Sequence, residues 1–168
     1  RSGAIAKFSP IMKEIIGFAN AGGYVLGICN GFQILTESRL LPGALLHNTS
    51  HKSICKNTYL KAETKNTLIT NQYTVNAVKI PIAHGEGKYF ADEETLESLI
   101  KNDQILFKYC DENGNINAEA NPNGSLLIIA EVSNVEKNVF GMMTHPERAS
   151  DGELSNQGGR LLFERILS

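Results

Sequence analysis

A cysteine flanked by two glycines is the position in this sequence best suited to chemistry. Residues 24–28 are apolar and predict a strand, Cys29 follows them, and the residues after Cys29 have helical periodicity. Gly27 and Gly31 stand two residues to either side, the spacing of a nucleophile elbow, where larger side chains would collide with the strand or the helix. A nucleophile in such a turn has a strained backbone, and the positive end of the following helix dipole favours the thiolate, so we predict that Cys29 is a nucleophile. The alternative is a small buried hydrophobic residue at the end of a core strand.

A histidine and a glutamate at the end of a second apolar run could complete this chemistry. Residues 138–144 predict a buried strand that delivers His145 and Glu147 at its carboxyl end. Histidine serves best as the base for a thiol, and Glu147 could accept a hydrogen bond from the imidazole and fix its tautomer. Taken separately, each is more simply interpreted as a loop or surface residue. Together with Cys29 they predict a Cys-His-Glu triad.

The composition limits the classes of protein to which this chain could belong. A length of 168 residues fits one domain with a sizeable core, and we predict a single domain over residues 1–168. The formal net charge of -2 and the absence of a basic run argue against nucleic acid and anionic membranes as partners. No apolar stretch is long enough to span a bilayer and no signal-peptide pattern opens the chain, which predicts a cytoplasmic location. The three widely spaced cysteines also fit a reducing compartment better than a disulfide framework.

Two sequence features bear on cofactors. His47 and His51 are four residues apart, as in a metal clip, but residues 48–50 are poor helix formers and no third ligand is close in sequence. The chain also has no Gly-x-x-x-x-Gly-Lys phosphate loop. We therefore predict no metal and no cofactor in this chain.

The order of predicted elements indicates the fold class. A helix from residue 9 to 19, a strand at 24–28 and a helix ending near residue 38 follow one another with short connections, the rhythm of a parallel α/β sheet. Further strands are predicted at residues 53–61, 74–82, 104–109, 126–132 and 139–143, and further helices at 92–100 and 157–167. The last two strands form a plausible hairpin. We predict a layered α/β domain with a mostly parallel sheet.

A glycine-rich loop is a second candidate for ligand contact. Residues 83–87, Ala-His-Gly-Glu-Gly, follow the strand predicted at residues 74–82. Open α/β sheets place ligand contacts at such strand ends. A tight turn with exposed polar residues is the alternative interpretation. We include His84, Gly85 and Glu86 among the candidate binding residues.

Three segments together resemble a known family. They are G-I-C-N-G-F-Q-I-L-T-E at residues 27–37, P-I-A-H-G-E-G at 81–87 and G-M-M-T-H-P-E-R at 141–148. The first alone is similar to the wider class I, triad-type glutamine amidotransferases. With the other two, the chain resembles the small glutaminase subunits of phosphoribosylformylglycinamidine synthase, which acts in purine biosynthesis. The resemblance runs along the whole chain and implies a flavodoxin-like fold.

The resemblance also implies roles for individual residues. It gives the nucleophile, base and orienting acid to the same three residues as the triad prediction. The backbone N–H of Asn30 would be one oxyanion donor, and Gln33, four residues after the nucleophile, would contact the substrate. Residues 84–86 resemble a loop that presents backbone groups to the amino-acid end of the substrate.

A reaction and partners follow from the same resemblance. The chain would hydrolyse glutamine and pass ammonia, sheltered from water, to a large ATP-dependent synthetase subunit, with a further small subunit in the complex. ATP and magnesium would belong to the partner. The resemblance further implies that the first strands of the fold, and a glycine-rich loop with a second oxyanion donor, precede Arg1.

Two other functions are compatible with parts of the pattern. The first is a stand-alone cysteine hydrolase or peptidase on a similar α/β fold, although a peptidase would have no reason to share Gln33 and the loop at residues 83–87. The second is a non-enzymatic module that docks on the synthetase without building its oxyanion hole. The reactivity of the thiol discriminates the second from an enzyme, because an inert domain should react no faster than a free cysteine.

Overall fold

The computed structural model describes residues 5, 6, 8–154 and 156–167 of the chain. The predicted start of the domain at Arg1 lies outside the described residues. The helices are α1 Pro10–Asn20, α2 Asn30–Glu37, α3 Glu93–Lys101 and α4 Arg160–Ile166. The strands are β1 Val25–Ile28, β2 Ala44–Leu46, β3 Ile54–Ala62, β4 Val78–His84, β5 Lys88–Phe90, β6 Ile105–Cys110, β7 Ile129–Ser133 and β8 Val139–Met142.

Six of these strands form one mixed sheet in the order β1-β8-β7-β6-β3-β4, and β2 pairs with β5 separately. The pairing of β1 with β8 is parallel, whereas the neighbouring pairs from β8 to β4 are antiparallel. The α/β class therefore holds, but the expectation of a mostly parallel sheet needs correcting for the described residues. Parallel neighbours need a crossover element, and the connections from β3 to β4, from β6 to β7 and from β7 to β8 contain no α-helix.

The two faces of the sheet are covered by different helices. On one face, Ala19 of α1, Phe32 of α2 and Leu99 of α3 share a buried cluster with Val139 of β8. On the other face, α4 contributes Leu162 to a second cluster. Strand β8 supplies both clusters because its side chains alternate between the two faces. The result is a layered arrangement around a central sheet.

Several predicted elements differ from the structure at their ends. Strand β4 begins at Val78 instead of residue 74 and continues to His84, so the first two residues of the predicted loop belong to the strand. The strand predicted from residue 126 starts with the 3-10 turn Leu126–Ile128. The hairpin of β7 and β8 is confirmed, with Val132 opposite Gly141. No helix in the described part of the chain is long and apolar enough to cross a membrane.

Candidate active site

The backbone at Cys29 has the strained conformation of a nucleophile elbow. Cys29 directly follows β1 and precedes α2, and its φ of 52°, with a ψ of -104°, is a positive value that a non-glycine residue rarely adopts. Its N–H donates to the carbonyl oxygen of Met142 at 2.7 Å. Because β1 and β8 are parallel neighbours, their carboxyl ends lie at the same edge of the sheet. The strain expected from the sequence is therefore present in the structure.

The two glycines beside Cys29 are not equivalent. A Cβ atom on Gly27 would lie 2.7 Å from the backbone carbon of Gly31 and 2.5 Å from a methyl group of Leu35. A Cβ atom on Gly31 would meet no atom within 4 Å among the described residues. The steric requirement for glycine expected at both positions thus holds at Gly27 and not at Gly31.

We expect Gly27→Ala to lower the free energy of unfolding by about 1–3 kcal/mol, the usual cost of forcing extra volume into packed backbone. Gly31→Ala is the matched control, with an effect within about 0.5 kcal/mol or a small stabilisation from helix propensity. Urea denaturation of the three proteins measures both values. Equal destabilisation by the two substitutions would contradict this description of the turn.

His145 is placed by a contact with β4 and pairs with Glu147. The N–H of His145 donates to the carbonyl oxygen of Pro81 at 2.8 Å, and His145 Nδ1 lies 2.6 Å from Glu147 Oε1. Since a carboxylate accepts hydrogen bonds, Nδ1 carries the proton and Nε2 of the neutral ring carries the lone pair. His145 Nε2 is buried and has no hydrogen-bond partner among the described residues. This nitrogen is the one left to take a proton.

The thiol of Cys29 is harder to ionise than the sequence predicts. Burial raises its pKa, while the backbone N–H of Asn30 and the charge of Arg148 act in the opposite direction. The nearby carboxylate of Glu147 raises the pKa further. The Sγ atom also makes a long contact of 3.9 Å with the carbonyl oxygen of Ala83. For the pKa of Cys29, the effect of burial therefore outweighs the expected effect of the helix dipole. A thiol that stays protonated needs a base.

The predicted substrate residue Gln33 meets the glycine-rich loop in the structure. Gln33 is buried, and its Nε2 donates to the carbonyl oxygen of Glu86 at 2.9 Å. The carboxylate of Glu86 lies 3.2 Å from Nε2 of His47. Asn30 is exposed at the first turn of α2. The elbow helix and the loop after β4 therefore form one continuous surface beside Cys29.

His84 is held by an asparagine that the sequence interpretation missed. Asn48 Nδ2 donates to the carbonyl oxygens of Lys52 and His84 at 2.8 and 2.9 Å, so its Oδ1 is the acceptor that faces His84 Nδ1 at 3.1 Å. The N–H of Gly87 donates to the same oxygen at 3.1 Å. His84 Nδ1 must then carry the proton, which leaves a lone pair on the buried Nε2. Burial, together with a smaller effect of the nearby His145, lowers the pKa of His84 to about 4.

The sequence predicts no metal site at His47 and His51. The two rings lie 6.3 Å apart and are tilted by 34°. Among residues 5, 6, 8–154 and 156–167, no group of three or more His, Cys, Asp or Glu side chains is placed to hold a metal ion.

Two further residues belong to this edge of the sheet. The charge of Arg148 lowers the pKa of the Cys29 thiol. Its Nε atom lies 3.5 Å from Oε1 of Glu147. Its position next to the predicted acid was the available signal in the sequence. Asn48 gives no such signal, because an asparagine in a polar loop is most often a turn residue.

Comparison with known proteins agrees with the motifs. A model of the CobB/CobQ-like glutamine amidotransferase domain matches residues 3–159. The phosphoribosylformylglycinamidine synthase subunit PurQ of Chlorobium chlorochromatii is 54% identical over 167 residues, which are 99% of this chain and 71% of the relative. The subunit of the same name from Synechocystis is 52% identical over 164 residues, covering 97% of this chain and 73% of the relative.

A solved structure is also similar. In the structure of PurLQS from Thermotoga maritima, the matching chain has a TM-score of 0.84 and 39% identity, covering 99% of this chain and 71% of that one. The fold class and the resemblance predicted from the sequence are confirmed. The chain belongs to the CobB/CobQ-like glutamine amidotransferase family.

Proposed function

We propose that this chain is the glutaminase subunit of a phosphoribosylformylglycinamidine synthase in purine biosynthesis, and that it hydrolyses glutamine to glutamate and ammonia. Relatives that share about half of its residues carry that subunit name. The single observation that carries the proposal is the strained Cys29 at the same sheet edge as the hydrogen-bonded His145–Glu147 pair.

The first half of the reaction forms a thioester. Nε2 of His145 takes the proton of the Cys29 thiol, and the sulfur attacks the side-chain amide carbon of glutamine. The carbonyl oxygen becomes an oxyanion that the backbone N–H of Asn30 stabilises. Glu147 stabilises the imidazolium through Nδ1. The imidazolium then protonates the amide nitrogen, the carbon–nitrogen bond breaks, and ammonia leaves.

The second half releases glutamate. Nε2 of His145 takes a proton from a water molecule, and the resulting hydroxide attacks the thioester carbon. Collapse of this intermediate breaks the carbon–sulfur bond, and His145 returns its proton to the sulfur. The thiol and the neutral imidazole are regenerated, so the cycle needs no cofactor in this chain.

The surface beside Cys29 offers polar groups for the rest of the substrate. Gln33 and the backbone of residues 84–86 would contact the amino-acid end of glutamine. These roles rest on the contact of Gln33 with Glu86.

A synthetase partner follows from the chemistry of ammonia. Free ammonia is protonated and lost in water, so a second site must receive it through a sheltered contact. The similar structure from Thermotoga maritima is that of PurLQS, and we propose that this chain likewise joins a large synthetase subunit and a further small subunit. ATP and magnesium would bind to the large subunit. The cytoplasmic location stays a prediction.

An assay of product release tests the proposal. The chain, alone and mixed with the large and small subunits from the same organism, is incubated with glutamine, with asparagine and with a peptide substrate. We expect glutamate from glutamine only, at a higher rate in the mixture. Peptide cleavage would favour the stand-alone hydrolase. A lack of glutamate under both conditions would favour the inert docking module.

A further inference from the structure

Glu131 is a buried acid that the proposed mechanism does not use. It lies in β7 with 0% exposure, opposite Met142 of β8, and therefore on the face of the sheet that carries the second buried cluster. Moving a carboxyl group from water into an apolar core costs free energy unless hydrogen bonds compensate for it. A residue kept in this position at such a cost calls for an explanation.

The carboxyl group of Glu131 has one hydrogen bond among the described residues. Thr144 Oγ1 donates to its Oε1 at 2.5 Å, and its Oε2 is buried without a hydrogen-bond partner there. The carboxyl group of Glu131 interacts electrostatically with the hydroxyl groups of two tyrosines, Tyr73 and Tyr109. The hydrogen bonds of these hydroxyl groups go elsewhere: Tyr73 donates to the carbonyl oxygen of Gly158, and Tyr109 accepts from Asn123. Burial raises the pKa of both tyrosines, so both are neutral near pH 7. No cation among the described residues influences the Glu131 carboxyl group.

The partner of Glu131 stands directly before the proposed catalytic base. The backbone of Thr144 forms an isolated antiparallel bridge with Ile82 of β4, and the N–H of His145 donates to Pro81 of the same strand. The β7–β8 pairing ends at Glu131 and Met142. Beyond that pair, β7 is connected to Thr144 by the side-chain hydrogen bond from Thr144 to Glu131. Thr144 is held on one side by backbone contacts and on the other by Glu131.

We propose that Glu131 is a positioning residue for His145, because its hydrogen bond to Thr144 fixes the backbone directly before the imidazole at the edge of the sheet that carries Cys29. The inference rests on the proposed function, since it assumes that His145 is the base. An error of about 1 Å in the placement of a catalytic group can cost on the order of a hundredfold in rate. A hydrogen bond one residue away from the base is therefore placed to affect turnover more than substrate binding.

The protonation state of Glu131 should connect this role to pH. Burial raises the pKa of Glu131 to about 8, above its ordinary value near 4.5. A raised pKa means that the contribution of this group to stability is complete below pH 4.5 and is lost as the pH rises through about 8. Above that pH, the core holds a negative charge that no described cation compensates. Both stability and turnover should then fall through this one group.

Four single variants and one double variant separate positioning from stability. Glu131→Gln and Thr144→Ser keep an acceptor and a donor, whereas Glu131→Leu and Thr144→Val remove them. We expect the removing variants to lower kcat for glutamine hydrolysis by about ten- to a hundredfold with little change in KM, and the conserving variants to stay near wild type. The double variant Glu131→Leu/Thr144→Val leaves no unpaired polar group, so its melting temperature should recover while its kcat stays low. The kcat of the wild type should fall above about pH 8, and Glu131→Gln should lack this limb.

A second measurement keeps the inference testable if the chain does not hydrolyse glutamine. The chain has four histidines, so a His145→Asn variant assigns the ring nitrogen signals of His145 in an NMR spectrum. The chemical shifts of those signals should change in Glu131→Leu and Thr144→Val. They should stay the same in Glu131→Gln and Thr144→Ser. Unchanged kcat and unchanged His145 signals in Glu131→Leu and Thr144→Val would overturn the inference. Recovery of kcat in the double variant would also overturn it, because packing alone would then position the base.

Discussion

A Cys29→Ala variant is expected to release no glutamate from glutamine, while the assembled synthetase still forms product from added ammonia. The reason is that the sulfur of Cys29 forms the thioester in the proposed mechanism. The matched control is Cys55→Ser, since Cys55 is a free and exposed thiol in β3 to which the proposed mechanism gives no role. Glutamate release and ammonia-dependent synthesis are measured on the same preparations.

Two outcomes would count against the nucleophile assignment. Substantial glutamate release by Cys29→Ala would move the nucleophile elsewhere. Loss of ammonia-dependent synthesis together with glutamate release would mean that Cys29 supports the fold or the assembly. A Cys55→Ser variant as inactive as Cys29→Ala would show that loss of any thiol has this effect.

A Glu147→Gln variant is expected to lower turnover by about two to four powers of ten with the fold intact. The amide keeps the size of the side chain but loses the charge that stabilises the imidazolium, and it can present a donor to His145 Nδ1 and so favour the wrong tautomer. Steady-state kinetics with glutamine measure the loss, and a thermal melt checks the fold. Glu153→Gln is the control, because Glu153 is an exposed acid in the nearby turn Gly152–Leu154.

The position of Glu147 sharpens this expectation. Its side chain is 44% exposed, whereas that of His145 is 9% exposed, so removing its charge leaves little unpaired in the core. A stability loss as large as the activity loss would therefore contradict an orienting role. Near-normal turnover would show that another acid, or none, orients the imidazole.

The strained turn at Cys29 and the hydrogen bond between His145 and Glu147 could be predicted because their constraints are local. Gly27 must lack a side chain since the chain returns on itself four residues later, and that requirement is visible in the sequence. The pairing of His145 with Glu147 also spans only two residues. Gly31 shows the limit of such reasoning, because whether a Cβ atom fits depends on what packs against the helix.

Long-range pairing and burial could not be predicted in the same way. The antiparallel order beyond β8 depends on strands far apart in sequence that come together without crossover helices. Glu131 gives no sign in the sequence that its carboxyl group is fully buried. The same applies to Asn48, whose four side-chain hydrogen bonds join residues up to 39 positions away. For Cys29, the helix N-terminus was visible in the sequence but the burial that opposes it was not.

The central claim is that the sulfur of Cys29 bonds to a glutamine-derived acyl group, and covalent labelling tests it most directly. The chain is treated with a diazoketone analogue of glutamine and, in parallel, with a general thiol reagent, and the modified cysteine is located by peptide mass spectrometry. The general reagent should label the exposed Cys55, which is the internal control for accessibility. The account predicts that the glutamine analogue labels Cys29 alone and that excess glutamine slows this labelling. Labelling of Cys55 by the analogue with Cys29 unmodified would contradict it.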